Sequence, residues 1–584
     1  MLNIARLTVR ATAALALCLG SAPAQTADLG GVWVAEERLD RLMAGPVTLQ
    51  KSGTQWVARF QGETASVRAT RDGTWAFEFP DHGRFEGWTN GATGSIDGHW
   101  IQSAATVTYY PLASPVKFAK VSSDAFVGKV EPFPQDVSLN IGLINDPAEP
   151  GRYRTFLRNP QANYGVYFRI EQAIVDKGKI QFVDADGDTL ATATLHPSRQ
   201  KFTMVFPRFD KTMDFTRRDR SHAPGFYPRQ SAAPAPALLR PTPRDDGWPT
   251  AHASDVDLDA ALLLQLVNEL TAFEPTSLRE PYLHSMLIAR KGKLVLEEYF
   301  HGYHADRTHD SRSAGKTIGS ALLGIALQQG AIESIDTPLY DYYGGVDAFD
   351  NPDARKSAMT LRHSVTMSTG LNCDDNNYQN PGNEDVMQEQ DAEPDWYRYA
   401  LSLAMVREPG QSTVYCTAGI NLLGGAIATA TETRLLKLFE THFAQPLGIK
   451  SYYANLMPTE KLYLGGGLRL RPRDFLKLGQ VYLNDGRWKD HQLVPAQYVA
   501  DSLAAHGSTN QPDDYGFGWW RTTYRIEGRD IAVQYASGNG GQMLFVVPEL
   551  DMTIMINAGN YGDGRTRAKF RDRFLSEFIL PAAM

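Results

Sequence analysis

The chain reads as an α+β protein: an antiparallel sheet flanked by helices and carrying a helical lobe, preceded by an all-β barrel- or sandwich-like N-terminal domain. Three observations predict this. Up to about Arg220, short alternating runs such as Gln55-Trp56-Val57-Ala58-Arg59-Phe60 and Thr74-Trp75-Ala76-Phe77-Glu78-Phe79 are separated by turn signals, among them Lys51-Ser52-Gly53, Arg71-Asp72-Gly73 and Asp97-Gly98. Past about residue 250 the turns thin out and longer helical periods take over. Strand-like runs then return at both ends of that second half, which implies one sheet assembled from distant segments and covered by helices.

The 584 residues are too many for one ordinary domain. Charged residues at 21% and hydrophobic ones at 43% suit a globular protein with a real core, and a net charge of −8 gives nucleic acid nothing to bind. Arg6 and Arg10, the apolar run Ala11 to Leu19 and the small residues Ala22-Pro23-Ala24 read as a secretory signal, so residues 1–24 are expected to be cleaved and the protein to be periplasmic or secreted. Leu17 is too large for the position before a lipid-bearing Cys18. No other run has the length of a transmembrane segment. Cleavage leaves Cys373 and Cys416 in an oxidising compartment, where a disulfide is the favoured state and two buried thiols the alternative.

In order, residues 28–220 form the β-rich N-terminal domain. Gly30-Gly31-Val32-Trp33 and Gly98-His99-Trp100-Ile101 look alike, without fixing a repeat period. Residues 221–250, with Ser231-Ala232-Ala233-Pro234-Ala235-Pro236-Ala237, have the composition of an extended linker. Residues 251–584 open on a helical period, Asp257 to Leu270, and a hairpin around Lys291-Gly292-Lys293. A buried helix follows Ser313, and Gly330 ends it. Helices and loops run from Ile332 to about Leu464. Strands are predicted at Phe517–Thr523, Ile531–Tyr535, Gln542–Val547 and Met552–Ile556, and an amphipathic helix closes the chain from Arg565 to Ile579.

Ser313 and Lys316 stand three apart where that helix starts, one turn apart on one face, as a nucleophile and its base require. Two further S-x-x-K matches, Ser114 to Lys117 and Ser198 to Lys201, sit in polar, strand-like surroundings. Companions in the chain decide between them: Tyr415-Cys416-Thr417-Ala418-Gly419, Gly465-Gly466-Gly467 and Ser537-Gly538-Asn539-Gly540-Gly541 follow Ser313 in order. With these elements the second half resembles the serine β-lactamase and penicillin-binding-protein superfamily, especially its class C-like esterases, D-amino-acid peptidases and nylon-oligomer hydrolases. The resemblance implies a β-lactamase-like catalytic domain, Ser313 as nucleophile, Lys316 as base and Tyr415 as proton shuttle. It also implies an oxyanion and substrate site at Ser313, Thr417, Gly538, Asn539 and Gly540, with no cofactor. Independently of the family, a Lys serves as such a base if burial and a neighbouring cation depress its pKa.

Two positions depart from the family pattern. Thr417 stands where Asn is usual, and Tyr535-Ala536-Ser537-Gly538 lacks the Lys or His that would hold a substrate carboxylate, which argues against a dedicated β-lactamase. The expectation is a small-molecule ester, amide or peptide substrate. A D-amino-acid peptidase or cell-wall amidase, or a catalytically silent binding protein, are the alternatives; oligomeric state is open. No G-x-S-x-G is present. His301, His304 and His309 match no familiar metal-binding spacing, and the run Asp184 to Asp188 has neither a glycine nor a distal glutamate at the positions a calcium loop requires.

Overall fold

The computed structural model describes residues 28–39, 42–104, 110–508 and 513–584. The signal-like segment 1–24, with Cys18, lies outside them.

The N-terminal region is all β, and it is two closed eight-stranded barrels rather than one. The strand Gly31–Arg38 pairs with both Asp136–Asn145 and Lys211–Arg218, closing a barrel around Trp33, Phe202 and Phe215. Between its first two strands the chain leaves to build the second barrel, from Gly45–Ser52 to Ala125–Val130, around Trp75, Phe85, Trp100 and Phe118. Trp33 and Trp100, the paired Gly-then-Trp residues of the sequence, are each fully buried in a separate barrel.

The second barrel does not stop at its own edge. Its strand Leu112–Ser122 pairs with Tyr452–Asn455, which pairs with Leu468–Leu470, which pairs with His309–Asp310. One sheet therefore runs from the N-terminal region to the residues directly before Ser313.

The segment 221–250 is extended, but it is tied down. Asp246 binds the Arg473 guanidinium through both oxygens, and Trp248 is buried with its indole N–H on the Arg473 carbonyl. Beyond it an eight-stranded antiparallel sheet takes Leu283–Arg290 and Lys293–Tyr299 from one end of the domain and Trp520–Ile526, Arg529–Gly538, Gln542–Val547 and Met552–Ala558 from the other. The central strands Gln542–Val547 and Met552–Ala558 are buried along their whole length because helices cover both faces. Pro472–Leu483 packs so closely that a Cβ on Gly479 would collide with Thr553. Ala260–Ala272 is N-capped by Asp259 and starts two to three residues after the expected Asp257. Between the two halves of the sheet lies the helical lobe, in which Thr417–Ala430 packs on Lys316–Gln328.

Candidate active site

The turn that carries Ser313 is fixed from three sides. Ser313 lies in a 3-10 turn, Arg312–Gly315, and the α-helix proper is Lys316–Gln328. Arg312 has φ +47°, an unfavourable region for a long side chain. Asp310 holds it there, accepting from the Arg312 amide at 3.0 Å and pairing with both the Arg312 and Arg469 guanidinium groups at 3.1 Å. Gly466, at φ +148°, lies against the Arg312 carbonyl, where a Cβ would overlap it. Gly538 presses the strand Arg529–Gly538 onto the same turn, 2.5 Å from the Ser311 oxygen and 3.1 Å from the Ala314 nitrogen measured from a Cβ placed on it. Two glycines thus allow here a backbone approach that a side chain would prevent.

Ser313 is half-exposed and caps no helix; its Oγ accepts from Lys316 Nζ at 2.9 Å. That ammonium is buried and also donates to the Gly465 carbonyl at 2.6 Å. Nζ lies 5.2 Å from the centre of the Tyr415 ring, which stacks on Trp520. Burial pushes the Lys316 pKa down, but Tyr415, Glu384 and Asp375 push it up by more, so the net shift is upward. This corrects the expected electrostatics: the groups acting on Lys316 are acidic, and the depressed pKa that a neighbouring cation would give is not what this site produces.

The source of that field is the loop Leu371–Gln388. A disulfide joins Cys373 to Cys416, with 5.5 Å between Cα atoms, and brings the loop beside Tyr415. The Asp375 amide donates to the Tyr415 carbonyl at 2.9 Å. Thr417 gives Asp375 both its amide (2.7 Å) and its hydroxyl (2.6 Å), and the Glu384 amide binds the other carboxylate oxygen at 2.9 Å. Burial, then repulsion from Glu384, raises the Asp375 pKa to about 6 despite Lys316 and Thr417. Tyr463 donates to Glu384.

Ser313, Lys316, Tyr415 and Gly538 are therefore brought together. Thr417 is fully buried and its hydroxyl is spent on Asp375. The Asn539 side chain accepts from the Gly562 amide at 3.0 Å, and the Gly540 carbonyl from the Asn560 amide at 3.0 Å, so both are tied into the turn. Sequence reasoning missed Asp375, Glu384 and Arg567. The last reaches back from the helix Gly564–Phe574 to bind the Gly538 carbonyl at 3.1 Å, placing a guanidinium beside the strand that lacks the family's cation. Burial, then Arg571, lowers its pKa. Its only sequence signal was the i, i+4 pair of Arg567 and Arg571 on an otherwise amphipathic helix. The rival Ser114 lies within a barrel strand, and Ser198 in a turn before the strand Lys201–Phe206.

Residues 284–574 match the Beta-lactamase family, and this part of the chain is a β-lactamase-family domain. Among solved structures it is similar to a penicillin-binding protein from Bacillus halodurans (17% identity, 50% of this chain and 97% of that one, TM-score 0.40). It is also similar to a penicillin-binding-protein homologue from Caulobacter crescentus (13%, 51% and 92%, 0.41) and to a family VIII carboxylesterase (15%, 53% and 95%, 0.40). No curated protein matches the chain.

Proposed function

We propose that the protein is an exported serine hydrolase that cleaves an ester or amide through an acyl-Ser313 intermediate. The observation that carries this is the Lys316 Nζ to Ser313 Oγ hydrogen bond at a half-exposed serine, with Tyr415 beside it. Lys316 in its amine form takes the hydroxyl proton as Oγ attacks the carbonyl carbon. Tyr415 passes a proton to the departing oxygen or nitrogen and is reprotonated from Lys316, so one proton moves from nucleophile to leaving group. Water then repeats the sequence on the acyl-enzyme and frees Ser313. Amides of the Ser313 turn and of the Gly538 region would face the oxyanion. Asp375, held by Thr417, takes over the polar position where the family uses Asn, and Arg567 supplies the cation missing from the strand.

A tagged fluorophosphonate tests this on the full chain. The peptide containing Ser313 should carry the adduct, and Ser313→Ala should lose both adduct and ester turnover while keeping its fold. A folded wild-type protein without an adduct would leave a silent binding scaffold as the better reading.

A further inference from the structure

The loop between the barrel strands Arg152–Arg158 and Gln172–Asp176 reaches the nucleophile turn. It is rigid for its length: Asn163 sits at φ 52° with its amide on the Asn159 carbonyl at 2.9 Å, and the Tyr167 and Phe168 amides both bind the Tyr164 carbonyl, at 3.0 and 2.8 Å. Tyr164 and Phe168 anchor it by packing on Phe206 in the barrel core. The residues between them turn toward the catalytic domain. Asn163 donates to the Tyr561 carbonyl at 2.8 Å and is 2% exposed, yet its own Oδ1 has no hydrogen-bond partner. A Cβ on Gly562 would lie 3.1 Å from Val166 Cγ1 and 3.7 Å from the Tyr167 hydroxyl. Gly562 is the residue that binds Asn539, next to Gly538 and the Ser313 turn. The Arg312 guanidinium, one residue from Ser313, stacks over Tyr561 at 5.1 Å and has Tyr167 among its electrostatic neighbours.

Single exposed apolar side chains are ordinary. Tyr167 differs in its place: it is 74% exposed, on a turn held by the fold, and its hydroxyl reaches Gly562, the residue that binds Asn539. We infer that the N-terminal barrel completes the substrate cleft, with Val166 and Tyr167 as its outer wall on the Asn539 side. Tyr167 is then a specificity-determining residue that packs on an aryl or long-alkyl group of the substrate. This rests on Ser313 being the nucleophile, as proposed above.

The test compares wild type, Tyr167→Ala and Tyr167→Phe on two ester series, one varying the acyl chain from acetyl to decanoyl and one varying the alcohol from methyl to naphthyl. Tyr167→Ala should lower the preference for the large member of one series about tenfold, through KM. Tyr167→Phe should keep it. The small esters, Ser313 labelling by a small fluorophosphonate and the melting temperature should stay at wild-type values. An unchanged preference in both series on a reactive Ser313 overturns the wall alone, as does a loss shared by all esters together with a lowered melting temperature. A wild-type Ser313 that does not label removes the reading of the site and the wall with it.

Discussion

Asp375→Asn removes a carboxylate from the field around Lys316 while keeping an oxygen for the Thr417 amide and hydroxyl. Thr417 also touches Gly465, whose carbonyl binds Lys316, so the lost charge lies about two contacts from the ammonium. At about 7 Å and an effective dielectric of about 20, a unit charge contributes about 2.4 kcal/mol, and solvent at this half-open site reduces that to about 1–1.5 kcal/mol, or about one pKa unit. The Lys316 pKa should fall by that amount, raising its amine fraction and the rate of Ser313 labelling at pH 8 several-fold. The two proteins should converge at pH 5, where Asp375, with a pKa of about 6, is already protonated in the wild type. The same shift acts on stability. A carboxyl whose folded pKa is above its unfolded 3.8 stabilises the fold fully below that pH and loses the contribution as pH rises through about 6. Asp375→Asn should therefore melt higher than wild type at pH 8 and gain nothing at pH 4. Slower labelling at pH 8, or a ratio independent of pH, would refute the idea that Asp375 holds Lys316 in its charged form.

Two other perturbations test the scaffold. Cys373→Ser opens a link spanning 43 residues, which the chain-entropy model values at about 4 kcal/mol. For a catalytic part of about 330 residues that is a fall of about 6 °C in its calorimetric transition, and a change under about 1 °C would show that the loop is held without the bond. Gly466→Ala places a methyl on the Arg312 carbonyl and a side chain at φ +148°. Displacement of the turn should slow Ser313 labelling at least about a hundredfold, about 2.7 kcal/mol of barrier, in a chain whose circular dichroism is unchanged; wild-type labelling would mean that the glycine contact does not set the turn.

What the sequence made legible was local. Ser313 and Lys316 are one helical turn apart, and the strands Gln542–Val547 and Met552–Ala558 are recognisable from composition alone. The nesting of two barrels was not legible, because alternation marks strands but closure depends on pairings such as Val32 with Arg218. The field around Lys316 was hidden for the same reason: Asp375 meets Thr417 across 42 positions, and Arg567 meets Gly538 across 29. Motif reading registered the missing Lys or His before Gly538, but neither the acids around Lys316 nor the guanidinium of Arg567 could be read from it.

The sheet that joins the second barrel to His309–Asp310 also bears on how the chain can be shortened. The segment that matches the family, residues 284–574, includes Tyr452–Asn455 but not the barrel strand Leu112–Ser122 paired with it. Cut away from the barrels, that strand would expose unpaired amides and carbonyls, a template for other chains. The barrel strand thus covers a sheet edge that residues 284–574 alone would leave open.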